Sequence, residues 1–246
     1  MSAAPPPPAS PGAPPGGGRS GALERPPPGE VSAKPAKGAE VHDAPSFQAA
    51  TGASDGQMAD LERYRALLQD WNGRMNLVGP SAMAEFWSRH VLDSAQLLAL
   101  APDALTWADL GAGAGFPGVV LAILLKGRPG AQVHLVESLT KRCRFLQAVA
   151  DELCLPVQVH NARAEDLPLT VDIVTARACA PLPRLLEFAW PSLRKGGTAL
   201  FLKGQDVEAE LAEATKSWYF EAELLPSRSG PSGRIVKLRR LRRGRR

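Results

Sequence analysis

Short apolar runs alternate with longer amphipathic stretches from residue 105 onward. Strands that are separated by helices need right-handed crossover connections, which place the strands parallel in one sheet with helices on both faces. We therefore expect an α/β protein with a doubly wound, mostly parallel sheet. The predicted strands are 105–110, 132–136, 157–160, 171–175 and 198–202, and the predicted helices are 118–125, 139–153, 182–193 and 207–216.

Further elements are expected on both sides of this region. Large apolar residues recur at intervals of three or four between Leu61 and Trp71, which predicts a helix, and a second helix should run from Ser81 to about residue 100. Two last strands, 220–225 and 234–241, flank a turn-rich segment. They should form an antiparallel hairpin at an edge of the sheet.

Composition divides the chain into three parts. Residues 1–56 hold 12 of the 23 prolines and 9 of the 23 glycines, with few large apolar residues. Such a segment buries too little apolar surface to offset the entropy of ordering its backbone. We therefore predict a disordered extension over 1–56, one folded domain over 57–241 with a helical N-terminal part, and an arginine-rich tail over 242–246.

Positive charge is concentrated in the last 13 residues. Residues 234–246 contain eight Lys and Arg residues and no acid, whereas the whole chain has a net charge of only +4. Such a cluster is typical of a protein that binds a polyanion, because each neutralised phosphate releases counterions. It is equally typical of a solvated tail. The charge pattern alone leaves both interpretations open.

Several classes of protein are disfavoured by the sequence. No apolar run exceeds seven residues, far short of the roughly 20 in a membrane-spanning helix. The N-terminus shows no apolar segment of the kind that begins a secretory signal. Cys143, Cys154 and Cys179 form neither a disulfide framework nor the CxxC spacing of a zinc site. We expect a cytoplasmic protein with no bound metal and no membrane association.

The most informative motif lies between the first predicted strand and its helix. It reads Asp109-Leu-Gly111-Ala-Gly113-Ala-Gly115-Phe-Pro-Gly118. Closely spaced glycines let a ligand lie against the backbone, and the start of the next helix offers free N–H groups. In an open α/β sheet, the crevice for ligands forms where the strand order reverses, at the carboxyl end of such a strand. We therefore expect this turn to hold a cofactor.

Two cofactors compete for the glycine turn. Gly113, Gly115 and Gly118 match the GxGxxG fingerprint of dinucleotide sites, although that fingerprint would begin two residues late in the turn. In the alternative interpretation, Asp109 repels a pyrophosphate and attracts the ammonium group of S-adenosylmethionine. Glu137 at the end of the second strand can accept hydrogen bonds from the ribose hydroxyls of either cofactor.

Six ordered segments between residues 61 and 241 carry a resemblance to a known family. They are Trp71-Asn-Gly-Arg-Met-Asn76-Leu77, Arg89-His90-Val-Leu-Asp93-Ser94, Asp109-Leu-Gly-Ala-Gly-Ala-Gly-Phe-Pro-Gly118, Glu137-Ser-Leu-Thr-Lys141-Arg142, Ala176-Arg177-Ala178 and Leu202-Lys203-Gly204-Gln205. The chain resembles the bacterial small-subunit ribosomal RNA guanine-N7 methyltransferases, also called RsmG or glucose-inhibited division protein B.

The resemblance implies a fold, a cofactor and a substrate. The fold is the Rossmann-like fold of class I S-adenosylmethionine-dependent methyltransferases. The substrate is 16S ribosomal RNA, either free or within the small ribosomal subunit, and the enzyme is expected to act as a monomer. The implied cofactor contacts are Gly111, Phe116, Glu137, Ser138, Leu139, Ala164, Glu165 and Arg177.

Methylation of guanine N7 requires little chemistry from the protein, because N7 carries a lone pair and loses no proton. Catalysis then comes from holding N7 in line with the methyl donor, and we assign no catalytic residue. The Asn/Asp-Pro-Pro-aromatic clamp of enzymes that methylate exocyclic amines is absent after the fourth strand.

Arg177 and Lys203, at strand ends, are expected to contact the substrate. His90 is expected to be a hydrogen-bonded structural residue.

Other functions stay open at this point. A methyltransferase of the same fold could act on a small molecule, and an RNA-binding protein could retain the pocket without catalysis. An oxidoreductase would use the GxGxxG interpretation. Cys179 could attack a pyrimidine ring for C5 methylation, although no second cysteine or acid accompanies it.

Overall fold

The described residues form a seven-stranded sheet with helices on both faces. The computed structural model describes residue 1, residues 40–194 and residues 196–244. The strands are β1 (Thr106–Leu110), β2 (Gln132–Glu137), β3 (Val157–Asn161), β4 (Ile173–Arg177), β5 (Thr198–Lys203), β6 (Trp218–Pro226) and β7 (Arg234–Arg243). Their order across the sheet is β3-β2-β1-β4-β5-β7-β6.

The pairing of the strands agrees with the predicted topology. Strands β1 to β5 are parallel, and β7 pairs antiparallel with both β5 and β6. The doubly wound, mostly parallel sheet with an antiparallel edge hairpin is therefore confirmed. The direction of winding reverses at β1, since β2 lies on one side of it and β4 on the other. The carboxyl ends of β1 and β4 thus border a crevice.

Helices cover both faces of the sheet, as a parallel sheet requires. One apolar core contains Trp107 and Val133 and lies beneath the helices that precede β3, and the other contains Val174 and Phe201 and lies beneath the last two helices. None of the helices in the described ranges is long and apolar enough to cross a membrane. The helices are α1 (Ala44–Thr51), α2 (Asp55–Met75), α3 (Leu92–Leu100), α4 (Gly118–Leu125), α5 (Thr140–Glu152), α6 (Leu182–Leu193) and α7 (Val207–Ala214).

The boundary predicted at residue 57 is wrong, because α1 and α2 begin before it. Phe47 on α1 is fully buried in the apolar core. Reciprocal capping boxes and one anchored aromatic ring therefore order a segment whose composition predicted disorder. Residues 2–39 of the predicted extension lie outside the described residues. The two capping boxes pair Asp43 with Ser46 at the start of α1 and Ser54 with Gln57 at the start of α2.

The single helix predicted from Ser81 to residue 100 is also wrong in detail. A 3-10 turn spans Pro80–Ala82, and a π-helical segment, Phe86–Val91, leads directly into α3. The N–H of His90 donates to the carbonyl of Glu85 at 3.2 Å, which is the five-residue register of a π turn. Such turns shift side chains away from the 3.6-residue period and are frequent at functional sites.

The predicted tail starts inside a strand. Arg242 pairs with Tyr219 and Arg243 with Trp218, and the guanidinium of Arg243 lies 5.4 Å from the centroid of the Trp218 ring. Residues 242 and 243 therefore belong to β7 rather than to a tail, because strand pairing and a cation–π contact hold them. Residues 245 and 246 lie outside the described residues.

Candidate functional site

The glycine turn after β1 depends on positive backbone angles. Gly111, Gly113 and Gly115 have φ values of 70°, 56° and 98°, a region that residues with a Cβ rarely occupy. A Cβ at Gly111 would lie 2.7 Å from Sγ of Cys179. A Cβ at Gly118 would lie 2.3 Å from a leucine side chain of β2. Glycine is therefore required both for the turn and for the close packing around it.

Asp109 lies beneath this turn and has no exposed surface. Its Oδ2 accepts the N–H of Gly118, the first residue of α4, at 2.8 Å. Its Oδ1 is buried and has no hydrogen-bond partner among the described residues. Burial raises the pKa of the carboxyl group to about 7, and the hydrogen bond from Gly118 opposes this shift. A cationic ligand group beside Oδ1 would favour the ionised form.

Glu137 connects the end of β2 to the glycine turn. The residue is 4% exposed, and its Oε2 accepts the N–H of Gly113 at 3.1 Å. Its Oε1 accepts the N–H of Leu139 at 2.8 Å, and a guanidinium nitrogen of Arg142 lies 3.7 Å from Oε2. The hydroxyl of Ser138 also donates to Oε1 at 3.4 Å, so the spare lone pair is on Oε2. The side chain can therefore accept a hydroxyl donor from a ligand while it holds the turn.

A cavity of about 750 Å³ opens at the carboxyl edge of the sheet beside the glycine turn. A smaller cavity of about 490 Å³ lies at the amino ends of β4 and β5, on the opposite edge. The predicted site residues that line the larger cavity are Gly111, Phe116, Arg177 and Lys203. The predicted residues that do not line it are Glu137, Ser138, Leu139, Ala164 and Glu165. Five of the nine predicted site residues therefore lie outside the lining of this cavity.

The second group follows β2 and β3. Leu139 precedes α5 and is 53% exposed, an unusual exposure for a large apolar side chain in this domain. The 3-10 turn Ala164–Asp166 comes after β3. Glu165 lies 3.8 Å from a guanidinium nitrogen of Arg184, which ties this turn to α6. The exposed side chain of Leu139 therefore provides an apolar surface close in sequence to the buried carboxylate of Glu137.

Arg177 ends β4 and forms a cluster with aromatic rings. Its guanidinium lies 4.8 Å from the centroid of the Phe116 ring, and its Nη1 hydrogen-bonds to Nδ1 of His90. The His90 ring stacks on Phe116 with centroids 5.0 Å apart. Burial and the positive charge of Arg177 lower the pKa of His90 to about 3, so the imidazole is neutral near pH 7. Tyr64 donates its hydroxyl to the carbonyl of Ala114 at 2.5 Å and supports the turn.

The expectation that His90 is hydrogen-bonded is therefore confirmed, but its partner is a predicted site residue. Sequence reasoning placed His90 outside the site because a lone histidine on a helix gives no sign of what it faces. The π turn that contains His90 brings it to the cavity wall. His90 therefore holds Arg177 and also lines the cavity, and it stays without an assigned catalytic role.

Lys203 at the end of β5 is held by the protein itself. Its Nζ lies 2.6 Å from Oε2 of Glu210 on α7 and donates to the carbonyl of Ala180 at 3.0 Å. The side chain is 11% exposed. Because the charge of Lys203 is compensated by Glu210, its contact with substrate stays a prediction.

The loop between β6 and β7 is a part of the site that sequence reasoning missed. Ser227 and Ser229 line the cavity, and their hydroxyls donate to Oδ1 of Asp93 at 2.6 and 2.5 Å. Asp93 lies in the first turn of α3, and the same oxygen accepts Nε2 of Gln96 at 2.9 Å. The turn-rich composition predicted a loop but carried no signal for the helix that the loop meets.

The helix start beside Asp109 discriminates between the two cofactors. A dinucleotide site holds its pyrophosphate at the first N–H groups of this helix. In this protein the N–H of Gly118 already donates to the carboxyl group of Asp109, so it is not available to a pyrophosphate. S-adenosylmethionine carries no phosphate and does carry an ammonium group, which the unpartnered Oδ1 of Asp109 suits. The residues present therefore fit S-adenosylmethionine.

Residues 57–230 match the family model described as rRNA small subunit methyltransferase G, GidB. The chain belongs to this family. The ribosomal RNA small subunit methyltransferase G of Caulobacter vibrioides (strain NA1000) is 67% identical over 203 residues, which cover 82% of this chain and 94% of that protein. The protein of the same name from Bradyrhizobium sp. (strain BTAi1) is 52% identical over 182 residues, or 72% and 82% of the two chains.

A solved structure has the same fold at low sequence identity. The O-methyltransferase from Bacillus cereus, solved in complex with SAH, is 15% identical with a TM-score of 0.53, and the match covers 80% of this chain and 96% of that one. The predicted family and the predicted class I, Rossmann-like fold are both confirmed. In this member of the methyltransferase G family, β7 begins at Arg234, after the matched region ends at residue 230.

The structure also bears on the cysteine alternative. Burial raises the pKa of Cys179, and the negative charges of Asp109 and Glu137 raise it further. A thiol in this setting stays protonated at neutral pH, whereas a nucleophilic cysteine needs the thiolate. Within the described residues, no group of three or more His, Cys, Asp or Glu is arranged to hold a metal ion.

Proposed function

We propose that this protein transfers a methyl group from S-adenosylmethionine to N7 of a guanine in the 16S ribosomal RNA of the small subunit. The observation that carries the proposal is a glycine turn with two buried carboxylates, Asp109 and Glu137, next to a cavity bordered by Arg177. Membership of the rRNA small subunit methyltransferase G family supports the class of substrate. The protein is proposed to act as a monomer in the cytoplasm.

S-adenosylmethionine, when bound, supplies an electrophilic methyl group on its sulfonium. Gly111 lines the cavity with the side chain of Cys179 beside it, and we assign the ammonium group of the cofactor to the buried Oδ1 of Asp109, which has no hydrogen-bond partner among the described residues. Glu137 accepts a ribose hydroxyl through the remaining lone pair of Oε2. Leu139 offers an apolar surface for the adenine ring. The residues proposed to complete this site are Phe116, Ser138, Ala164, Glu165 and Arg177.

The residues around the cavity suit a reaction that needs positioning and no proton transfer. Holding two reactants in line can be worth roughly 7–11 kcal/mol. Arg177 presents its guanidinium to a phosphate or to a base edge, and Phe116 and His90 keep it in place. Because His90 is neutral, it adds no positive charge beside a purine that becomes cationic on methylation. Lys203 is proposed to contact the RNA from the end of β5.

The test is methyl transfer followed by chemical cleavage. The protein is incubated with labelled S-adenosylmethionine and with 16S RNA, either free or in small subunits. An N7-methylated guanine makes the RNA cleavable by borohydride and aniline, so labelled RNA should be cut at one position. Labelled RNA that resists cleavage would reject N7 as the acceptor, and the absence of label on both substrates would reject the activity.

A matched pair of variants connects this activity to the glycine turn. Gly111→Ala should lose binding of S-adenosylhomocysteine and methyl transfer together, because the new Cβ meets Cys179. Gly73→Ala is the control, since a Cβ there has no atom within 4 Å and alanine favours the helical backbone. The assigned pocket would be wrong if both variants lost cofactor binding and methyl transfer equally, or if neither variant lost them.

A further inference from the structure

The exposed face at one end of the β6–β7 hairpin carries arginines and one aromatic ring. Arg239 and Arg242 are exposed, and neither forms an ion pair within the described residues. Tyr219 is 65% exposed and lies directly opposite Arg242. We call Tyr219, Arg239 and Arg242 the arginine–tyrosine patch. Glu221 on the same face is bound to Arg240 at 2.7 Å, which compensates its charge.

A β-bulge brings these side chains to one face. Arg239 pairs with Glu221 and Arg242 pairs with Tyr219, so three steps on β7 match two steps on β6. Side chains three positions apart on a regular strand point to opposite faces. Arg240, with a φ of 53°, absorbs the extra residue. The patch therefore exists only because of this irregularity.

The patch lies far from the site of methyl transfer. Arg234 at the start of β7 lines the cavity and pairs with Lys203 at the carboxyl edge of the sheet. Strand β7 runs antiparallel to β5, so its later residues move toward the opposite edge. Pro226 and Tyr219, the β6 partners of Arg234 and Arg242, are seven residues apart, so at about 3.4 Å per residue Arg242 lies roughly 24 Å along the strand from Arg234. The patch and the cavity cannot contact the same nucleotide.

We propose that the arginine–tyrosine patch is a second RNA-binding surface. Its arginines contact phosphates, and Tyr219 stacks on one unpaired base of the same RNA that the enzyme methylates. This proposal rests on the proposed function. Exposed arginines bind phosphate in two-point contacts, and an exposed tyrosine ring stacks on bases of any identity. The charge alone would suit any polyanion, but an aromatic ring directly opposite an arginine favours single-stranded nucleic acid.

The separation sets a minimum size for the substrate. An A-form RNA duplex rises by less than the roughly 3.4 Å per base pair of B-form DNA, so a duplex RNA must extend by at least about seven base pairs from the target guanine to reach the patch. A short stem-loop engages the cavity alone, whereas the full RNA engages both surfaces. The patch therefore increases affinity for large RNA without selecting the base that is methylated.

The experiment compares two RNA lengths. Binding of 16S RNA and of a stem-loop with five base pairs around the target guanine is measured against salt concentration. The variant Arg239→Gln/Arg242→Gln should flatten the slope of log K against log salt for 16S RNA by about 1.4–1.8, or 0.7–0.9 for each lost contact. Its slope for the stem-loop and its affinity for S-adenosylhomocysteine should stay unchanged. Tyr219→Ser should weaken binding of 16S RNA by about 5- to 100-fold without changing the slope.

The control variant is Arg128→Gln/Arg194→Gln, which removes the same charge from two exposed residues outside the patch. Equal flattening in this control, an unchanged slope in the patch variant, or equal flattening with the stem-loop would overturn the proposal. Loss of binding to phosphatidylserine vesicles with an unchanged RNA slope would assign the patch to a membrane instead. If the wild-type protein methylates neither RNA, the proposed function is wrong. The salt dependence of RNA binding still tests the patch in that case, because it does not depend on methyl transfer.

Discussion

Replacing Gly111 by alanine separates two physical reasons for glycine in the turn. The first is backbone strain, because φ is 70° at this residue, and a residue with a Cβ in this region costs about 1–2 kcal/mol. The second is collision, because the new Cβ would lie 2.7 Å from Sγ of Cys179. Overpacking of this kind costs about 1–3 kcal/mol. Gly111→Ala should therefore lower the free energy of unfolding by about 2–5 kcal/mol.

Two companion variants separate the cost of backbone strain from the cost of the collision. Gly113 also has a positive φ, 56°, but a Cβ there would meet only the Gly111 carbonyl oxygen at 3.6 Å, an ordinary contact. Gly113→Ala should therefore cost about 1–2 kcal/mol, from strain alone. Cys179→Ala removes Sγ and leaves the closest contact of the new Cβ at 3.4 Å. In the Cys179→Ala background, the cost of Gly111→Ala should fall by about 1–3 kcal/mol.

The assay is urea unfolding of the wild-type protein and the four variants (Gly111→Ala, Gly113→Ala, Cys179→Ala and Gly111→Ala/Cys179→Ala), with titration of S-adenosylhomocysteine into each. Binding should be weakest in the Gly111→Ala single variant and should recover in part in the double variant. An equal cost of Gly111→Ala with and without Cys179 would show that the collision contributes nothing to the destabilisation. Equal destabilisation by Gly113→Ala and Gly111→Ala would show the same.

Three further predictions concern charged residues of the site. Burial raises the pKa of Asp109 to about 7, so the carboxyl group is protonated below that pH, and a ligand ammonium binds the ionised form better. The affinity for S-adenosylhomocysteine should therefore rise about tenfold from pH 6 to pH 8. Calorimetry should find no such rise in the Asp109→Asn variant. Glu137→Gln should weaken the same binding by about 1–3 kcal/mol, because an amide nitrogen would face a backbone N–H; unchanged affinity in the same titration would remove Glu137 from the site. Lys203→Met should lower the free energy of unfolding by about 1–3 kcal/mol, because it leaves the carboxylate of Glu210 without its ion-pair partner. The double variant Lys203→Met/Glu210→Met should recover this stability. Unchanged stability in urea together with slower RNA methylation would instead make Lys203 a substrate contact.

Much of the fold could be predicted because its signals are local. The helices 118–125 and 182–193 have the predicted ends, and each predicted strand of the parallel sheet is present within two residues. Apolar periodicity reports on the face that each element buries, and this face follows from neighbouring residues. The glycine turn was equally visible, because only glycine occupies its positive φ angles without strain.

The failures occurred where local signals were weak or were outweighed. Average composition placed residues 44–56 in a disordered segment, although two capping boxes and Phe47 order them. A 3.6-residue period could not describe the π turn around His90. Alternation along β7 could not place Arg239 and Arg242 on one face, because the bulge depends on pairing with β6.

The sequence by itself therefore determined the order of the elements, the parallel sheet and the position of the cofactor turn, since these depend on spacing within a few residues. Only the tertiary structure decided which side chains meet. His90 contacts Arg177 across 87 residues of chain, and Asp93 holds Ser227 across 134. These contacts follow from the strand order and the register of the sheet, which bring distant segments together, and no local pattern in either segment records its partner.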